Sequence, residues 1–195
     1  MWEITQILVG YAKPSADSSS INASGSVTLI SNETSKILVD CGSPWNGNEL
    51  AKALNSRSLR CSDITDVVIT HGHIDHCGNL SMFPRATIYM DNDQAEPNAL
   101  YTNFEDNHLI ADGVKILRTP GHTDHDLSVI VLNSNEEITV VAGDIFEDDK
   151  ADDWQRNSRY PSRQQESRFR ILQVANWIIP GHGKIFKNIP HGINH

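Results

Sequence analysis

Residues 71–76 of this 195-residue chain read HGHIDH, so three of its 9 histidines and an aspartate fall within six positions. Neutral imidazoles and carboxylates are the side chains that hold divalent cations of intermediate softness. In extended backbone, positions i and i+2 project to the same side, so His71 and His73 can reach one ion. Asp75 and His76 follow after the chain turns and can serve a neighbouring ion. Gly72 and Gly78 give the loop the conformational freedom that a tight ligand cradle needs.

Three further positions carry the same chemistry. His122 lies in TPGHT and His182 in PGHG, beside Pro-Gly turns where a histidine on its own is usually just exposed. Asp144, in VVAGD, would by itself pass for a turn-forming aspartate. Next to HGHIDH they read differently. A carboxylate can bridge two cations, which an imidazole cannot do readily. The set exceeds the needs of one tetrahedral ion, and a two-metal site accounts for all of it at once.

Each of these residues follows an apolar run: VVIT before His71, ILRTP before the turn of His122, ITVVAG before Asp144 and WIIP before the turn of His182. Strands that end in ligand-bearing turns can aim them all at one point from a rigid scaffold. ITQILVG, SVTLIS, KILVDCG, ATIYMD and LSVIVLN read as further strands, by length and β-branched content. NELAKALNSR reads as a short helix, and residues 13–24, KPSADSSSINAS, as a polar loop. The best helix is PSRQQESRFRILQVANW. Ser162 and Gln165 have capping-box spacing there, and Phe169, Ile171 and Leu172 fall near one face. Strands outnumber helices, which fall between strand pairs. The expected class is α/β or α+β, a single domain over residues 1–195 with helices covering sheet layers.

Composition narrows the function classes. A chain that is 38% hydrophobic and 21% charged reads as a soluble globular protein, without the run of roughly 18 apolar residues that a membrane span needs. The start, MWEITQILVGYAKPS, lacks the basic and apolar regions of a signal peptide. Cys41, Cys61 and Cys77 are too few and too scattered for a disulfide framework, so a reducing compartment is expected, the cytoplasm with the nucleus also open. Asn22 and Asn32 match the glycosylation acceptor pattern, which is short and common. A net charge of −9 disfavours broad binding to nucleic acid, which rests on phosphate neutralisation.

HGHIDH, then PGHT, GD and PGHG, in this order and spacing, resemble the metallo-β-lactamase superfamily over nearly the whole chain. The resemblance implies an αβ/βα sandwich: two facing mixed β-sheets, helices outside, and a binuclear site at one edge. Carried over position by position, it implies His71, His73 and His122 on one ion, Asp75, His76 and His182 on the second, and Asp144 bridging them. Asp75, a ligand with a free carboxylate oxygen, is then the candidate for orienting the attacking hydroxide and carrying its proton onward. Zinc suits these ligands, as do iron and manganese. Asp40 is expected to support the ligand loop by hydrogen bonding. His125 is expected to face solvent, and Cys41 and Cys77 to be buried small residues.

GSVTLI, ILVDCGSPW, HCGNLSMFP, HDLSVIV and VVAGDIFEDDKADDW are similar to the glyoxalase II-like branch. A small member of that branch carries the implication of an endoribonuclease acting on histone pre-mRNA. RNSRYPSRQQESRFR, where Arg156, Arg159, Arg163, Arg168 and Arg170 meet one acid, Glu166, would then contact the RNA. The alternative is a small-molecule thioester or ester hydrolase of glyoxalase II type, which the acidic balance and short chain suit better. The chain ends soon after PGHG, so it is expected to lack the C-terminal helical domain that gives glyoxalase II much of its glutathione site. A homodimer is compatible with either reading. A non-catalytic metal-binding protein is the third class, disfavoured by the completeness of the ligand set.

Overall fold

The computed structural model describes residues 1–16, 20–133, 135–150 and 153–189. Its first half runs β1 (Glu3–Leu8), β2 (Tyr11–Pro14), β3 (Ile21–Ser24), β4 (Val27–Ser31), β5 (Lys36–Val39), α1 (Gly47–Asn55), β6 (Asp66–Val68), the single turn α2 (Ile74–Cys77), β7 (Thr87–Met90), β8 (Asp93–Ala95) and β9 (Tyr101–Asn103). The second half runs β10 (His108–Ala111), β11 (Val114–Arg118), β12 (Leu127–Leu132), β13 (Ile138–Gly143), α3 (Pro161–Val174), β14 (Trp177–Pro180) and β15 (Phe186–Lys187). One sheet has the order β1-β4-β5-β6-β7-β8-β9 and the other β10-β11-β12-β13-β14-β15. Both are mixed, with parallel pairs β5–β6, β6–β7 and β13–β14.

Alternation within the apolar runs explains the layers. Ile37, Val39 and Val68 face Val129, Val131, Val141 and Ile179 across the space between the sheets. Leu38, Val67 and Ile69 point the other way, onto Leu50 and Leu54 of α1. Val140, Ala142 and Ile178 likewise pack outward, against Ile171 of α3. KILV and WII are therefore continuously apolar because both of their faces are covered. The αβ/βα sandwich expected from the sequence is the fold observed. No helix among the described residues is long and apolar enough to cross a membrane.

Two expectations need correction. Residues 13–24 are not simply a loop: β2 and β3 pair from Tyr11↔Ser24 to Pro14↔Ile21, with residues 17–19 outside the described set. The chain's polar composition concealed a hairpin that buries little. α3 begins at Pro161, with no side-chain cap from Ser162, and its buried face is Gln164, Ser167, Arg168 and Ile171. Phe169 and Leu172 are exposed. Where an apolar stripe was expected, a polar one packs, because it lies over loop carbonyls that lack strand partners. Gln164 Nε2 donates to Asp144 O at 3.1 Å, Ser167 Oγ to Pro120 O at 2.8 Å and an Arg168 NH group to Ile145 O at 2.7 Å.

Candidate metal centre

All seven residues singled out in the sequence arrive at one rim of the sandwich. β6 leads through Thr70 to His71. His73 is extended (φ −72, ψ 145) and starts α2, whose one turn carries Asp75 and His76. β11, β13 and β14 lead to His122, Asp144 and His182. Backbone hydrogen bonds tie the loops together: Leu127 N donates to Thr70 O at 2.7 Å, Gly181 N to Gly143 O at 3.0 Å and Ser26 N to Gly181 O at 2.7 Å.

The donor atoms fall into two groups, His71, His73, His122 and Asp144 in one, and Asp75, His76 and His182 in the other, each within 4.8 Å. His71 Nε2 and His122 Nε2 stand 2.9 and 3.1 Å from His73 Nδ1. Asp144 lies between the groups. Its Oδ2 is 3.4 Å from His122 Nε2 and 3.2 Å from His182 Nε2, and its Oδ1 is 3.2 Å from His76 Nε2. Asp75 Oδ2 is 3.8 Å from His76 Nε2 and 3.7 Å from His182 Nε2. His76 Nε2 and Asp144 Oδ1 are buried without a hydrogen-bond partner, a costly state for polar atoms unless something else engages them. The donor set fits two divalent cations, and Asp144, which reaches both groups, would serve both.

Electrostatics separate the two groups. Burial, reinforced by the neighbouring His76, holds His71 well below the usual histidine range, and burial also lowers His73. These rings are neutral, as ligands must be. Burial opposes charge on His76 too, but the Asp144 and Asp40 carboxylates outweigh it and raise its pKa well above that range. Asp144 is the complement: burial resists its ionisation, and His76 and His71 overcome this and hold it well below the usual carboxylate range.

The ligands are held by a second set of residues. Asp40 takes a left-handed backbone (φ 61) at the end of β5 and is buried. Its Oδ1 accepts from Thr70 N at 2.7 Å, and its Oδ2 from Thr70 Oγ1 and His76 Nδ1, both at 2.8 Å. A carboxylate only accepts, so His76 carries its proton on Nδ1 and turns Nε2 to the site. Thr70 gives its hydroxyl proton to Asp40, and the same oxygen is 3.1 Å from His71 Nδ1. It can therefore accept the His71 proton, freeing that Nε2 as well. One carboxylate thus sets a ring in each group. The support expected of Asp40 is present; the relay through Thr70 was not anticipated.

Asp126 was also missed. Its buried carboxylate accepts from Gly121 N at 2.9 Å, Thr123 N at 2.7 Å and Thr123 Oγ1 at 2.7 Å, folding the loop that presents His122. Its local signal was an acid four residues after a turn histidine. His125 is exposed, Cys41 buried and Cys77 half-buried. Gly181 sits where no side chain fits, since a Cβ there would collide with Asp144 Oδ1.

The arginine patch disperses. Arg168 is buried over the Phe146 ring at 4.0 Å. Arg156, Arg159 and Arg170 pair with Asp153, Asp124 and Asp106 at 3.2, 2.7 and 2.9 Å. Arg163, which lies over the Tyr160 ring at 5.2 Å, and the buried Arg168 have no acidic partner among the described residues. Asp106 and Asp124 are distant in sequence and Asp153 lies just before the run, so a count along the helix misses all three.

The metal rim opens into a cavity of about 340 Å³, walled by Ala12, Ile21 and Ala23 of the hairpin and by Glu147 and Asn157 opposite.

Comparison with known proteins agrees with this geometry. The metallo-beta-lactamase superfamily model matches residues 22–91. Metallo-beta-lactamase domain-containing protein 1 of Xenopus laevis is 39% identical over 95% of this chain and 82% of its own length. The human protein of that name is 35% identical over 95% of this chain and 82% of its own length. Among solved structures, a Thermotoga maritima chain assigned to the metallo-beta-lactamases has a TM-score of 0.74 at 18% identity, covering 95% of this chain and 99% of that one. An N-acyl homoserine lactone hydrolase, solved with the product N-hexanoyl-L-homoserine at its catalytic metal centre, has a TM-score of 0.64 at 18% identity, covering 89% and 87%.

Proposed function

This chain belongs to the metallo-β-lactamase superfamily, and from that membership we propose that its binuclear centre hydrolyses small-molecule esters, lactones or thioesters. The observation that carries the proposal is the lining of the cavity. Apart from the ligand cluster, its polar groups are one carboxylate, Glu147, and one amide, Asn157, and no Lys or Arg among the described residues lines it. A volume of about 340 Å³ suits a small molecule. Beyond the ions themselves, a polyanion would find no cationic side chain lining that cavity to offset its flanking phosphates, and the arginines expected to supply that charge are mostly paired or buried. A lactone hydrolase among the similar folds supports the same class. Cleavage of histone pre-mRNA has only the likeness to its family behind it.

His71, His73 and His122 would hold one ion, Asp75, His76 and His182 the other, with Asp144 between them. Zinc is the ion we favour. Two such ions, when bound, supply a hydroxide at neutral pH and polarise the oxygen of the scissile bond. The chain's own contributions are separate. The Ala12, Ile21 and Ala23 wall excludes water from one side of the substrate. Asp144 and Asp40 keep the imidazoles oriented. Asp75 is partly exposed to the cavity, and there it receives the proton that the attacking water gives up and returns it to the leaving group.

Hydrolysis of a matched panel tests this: aryl esters, acyl homoserine lactones and acyl thioesters against single-stranded RNA, with protein loaded with two equivalents of zinc. Turnover of at least one carbonyl class, with intact RNA, is expected. Measured at zinc concentrations that saturate both sites, Asp75→Asn should lower kcat by about 10²-fold or more, the usual contribution of a positioned acid–base group. RNA cleavage alongside inert esters would refute the proposal.

A further inference from the structure

A second cavity, of about 420 Å³, adjoins the first and shares Ile21, Glu147 and Asn157 with it. The ligand cluster lines the first, the inner cavity of this cleft, and Trp154 the second, the outer one. Glu147 lines both. It follows Asp144 by three residues, on the loop that carries that ligand, and its backbone carbonyl accepts from His182 N at 2.6 Å. Glu147 is thereby fixed to both the Asp144 and His182 loops. Its side chain is held too: Asn157 Nδ2 donates to Oε1 at 2.6 Å, while Oε2 has no partner among the described residues. The cations of this cleft all lie in the outer cavity. There Arg168 is engaged by Ile145 O and Arg156 by Asp153, while Lys150 also lines the outer cavity.

We propose that Glu147 determines specificity at this site: it admits substrates whose group next to the scissile bond is cationic or donates hydrogen bonds, and repels those with a carboxylate or phosphate there. The proposal rests on the small-molecule reading above and narrows it. A substrate anchored at the ligand cluster has its neighbouring atoms in the inner cavity. Among the described residues lining that cavity, the one charged side chain outside the ligand cluster is that carboxylate. A free oxygen on an immobilised carboxylate offers a directed acceptor to an N–H or O–H group. Against an anion it offers only repulsion, which a partly desolvated cleft screens less than bulk water does. Trp154 and Ile21 then give an apolar surface to whatever extends outward.

Three thiols that anchor to the metals through sulfur serve as probes: 2-aminoethanethiol, 2-mercaptoethanol and 3-mercaptopropionate. Their dissociation constants are measured by absorbance on cobalt-loaded protein and on the same preparation of Glu147→Gln. Differences in intrinsic thiol affinity cancel between the two proteins. The expected result is that the preference for the amine over the carboxylate falls by roughly tenfold in Glu147→Gln, the size of one unit-charge interaction at intermediate dielectric. Asn157→Ala, which frees the carboxylate without removing it, should give a smaller fall. The same amine-to-carboxylate ratio in both proteins, or no binding of any probe, overturns the proposal. If the ratio shifts as expected but no ester, lactone or thioester is turned over, the role of Glu147 stands and the hydrolase assignment fails. If carbonyl substrates are turned over and the ratio is unchanged, the reverse holds.

Discussion

Thr70→Val tests the relay behind the metal rim. The substitution keeps the branched shape and removes one hydroxyl, the group 2.8 Å from Asp40 Oδ2 and 3.1 Å from His71 Nδ1. Asp40 keeps its bonds to Thr70 N and His76 Nδ1, so the second group is left supported. His71 does not fare so well. Its ring is fully buried, and Nδ1 loses its partner. An orphaned buried donor costs about 1–3 kcal/mol. The ring can escape that by moving its proton to Nε2, which then faces the ion as a donor and not as a ligand. Either way the loss falls on one site, and loss of such an orienting partner typically weakens metal affinity about 10–100-fold. Competition with a chromophoric zinc chelator, resolved into two steps, should therefore show one weakened ion and one unchanged. Thr70→Ser, which keeps the hydroxyl, should hold both. Asp40→Asn should weaken both, because it touches both rings. Equal weakening of the two ions in Thr70→Val would refute the relay and leave Thr70 a packing residue.

Asp144→Ala should release both metals together, by elemental analysis after gel filtration; retention of both would reduce Asp144 to a turn residue. Gly181→Ala forces the carboxylate of Asp144 aside, so metal content and activity should fall together while far-ultraviolet circular dichroism stays native. Metal affinity should depend on pH differently at the two sites. Because the pKa of His76 is raised well above the usual range, an ion entering its group displaces a proton. Affinity there should climb by up to about tenfold per pH unit until that raised pKa is passed. His71 and His73 are lowered and already neutral, so their site should be nearly flat above pH 7. Calorimetric titration in buffers of different ionisation enthalpy counts the protons released, and a flat profile at both sites would contradict the assignment.

The ligands were legible because their signals are local. An i, i+2 pair of histidines after a buried strand serves little besides ligation, Asp75 and His76 follow it directly, and His122, Asp144 and His182 each close an apolar run that a two-sided core demands. Asp40 was legible for the same reason, as the polar end of KILV. The residues that orient the ligands were harder to see because their partners are remote. Gln164, Ser167 and Arg168 look like a solvated helix face until Asp144, Ile145 and Pro120 bring their carbonyls beneath it. Phe169 and Leu172 misled in the opposite direction, since apolar type alone does not say which side of a helix meets the sheet. The β2–β3 hairpin escaped because period-2 patterning reports burial, and these strands are largely exposed. Glu147 had no signal beyond nearness to Asp144.

The division of the ligands between the halves of the chain has a mechanical consequence. HGHIDH belongs to the loop after β6 of the first sheet, whereas His122, Asp144 and His182 come from the second. Neither sheet can complete a site alone, so each ion, once bound, would act as a rivet through the sandwich at the edge where the core ends. By mass action, free metal at a hundred times its dissociation constant adds about 2.7 kcal/mol per site against unfolding. The melting temperature of this protein should then read the metal content of its surroundings, falling when a chelator is added.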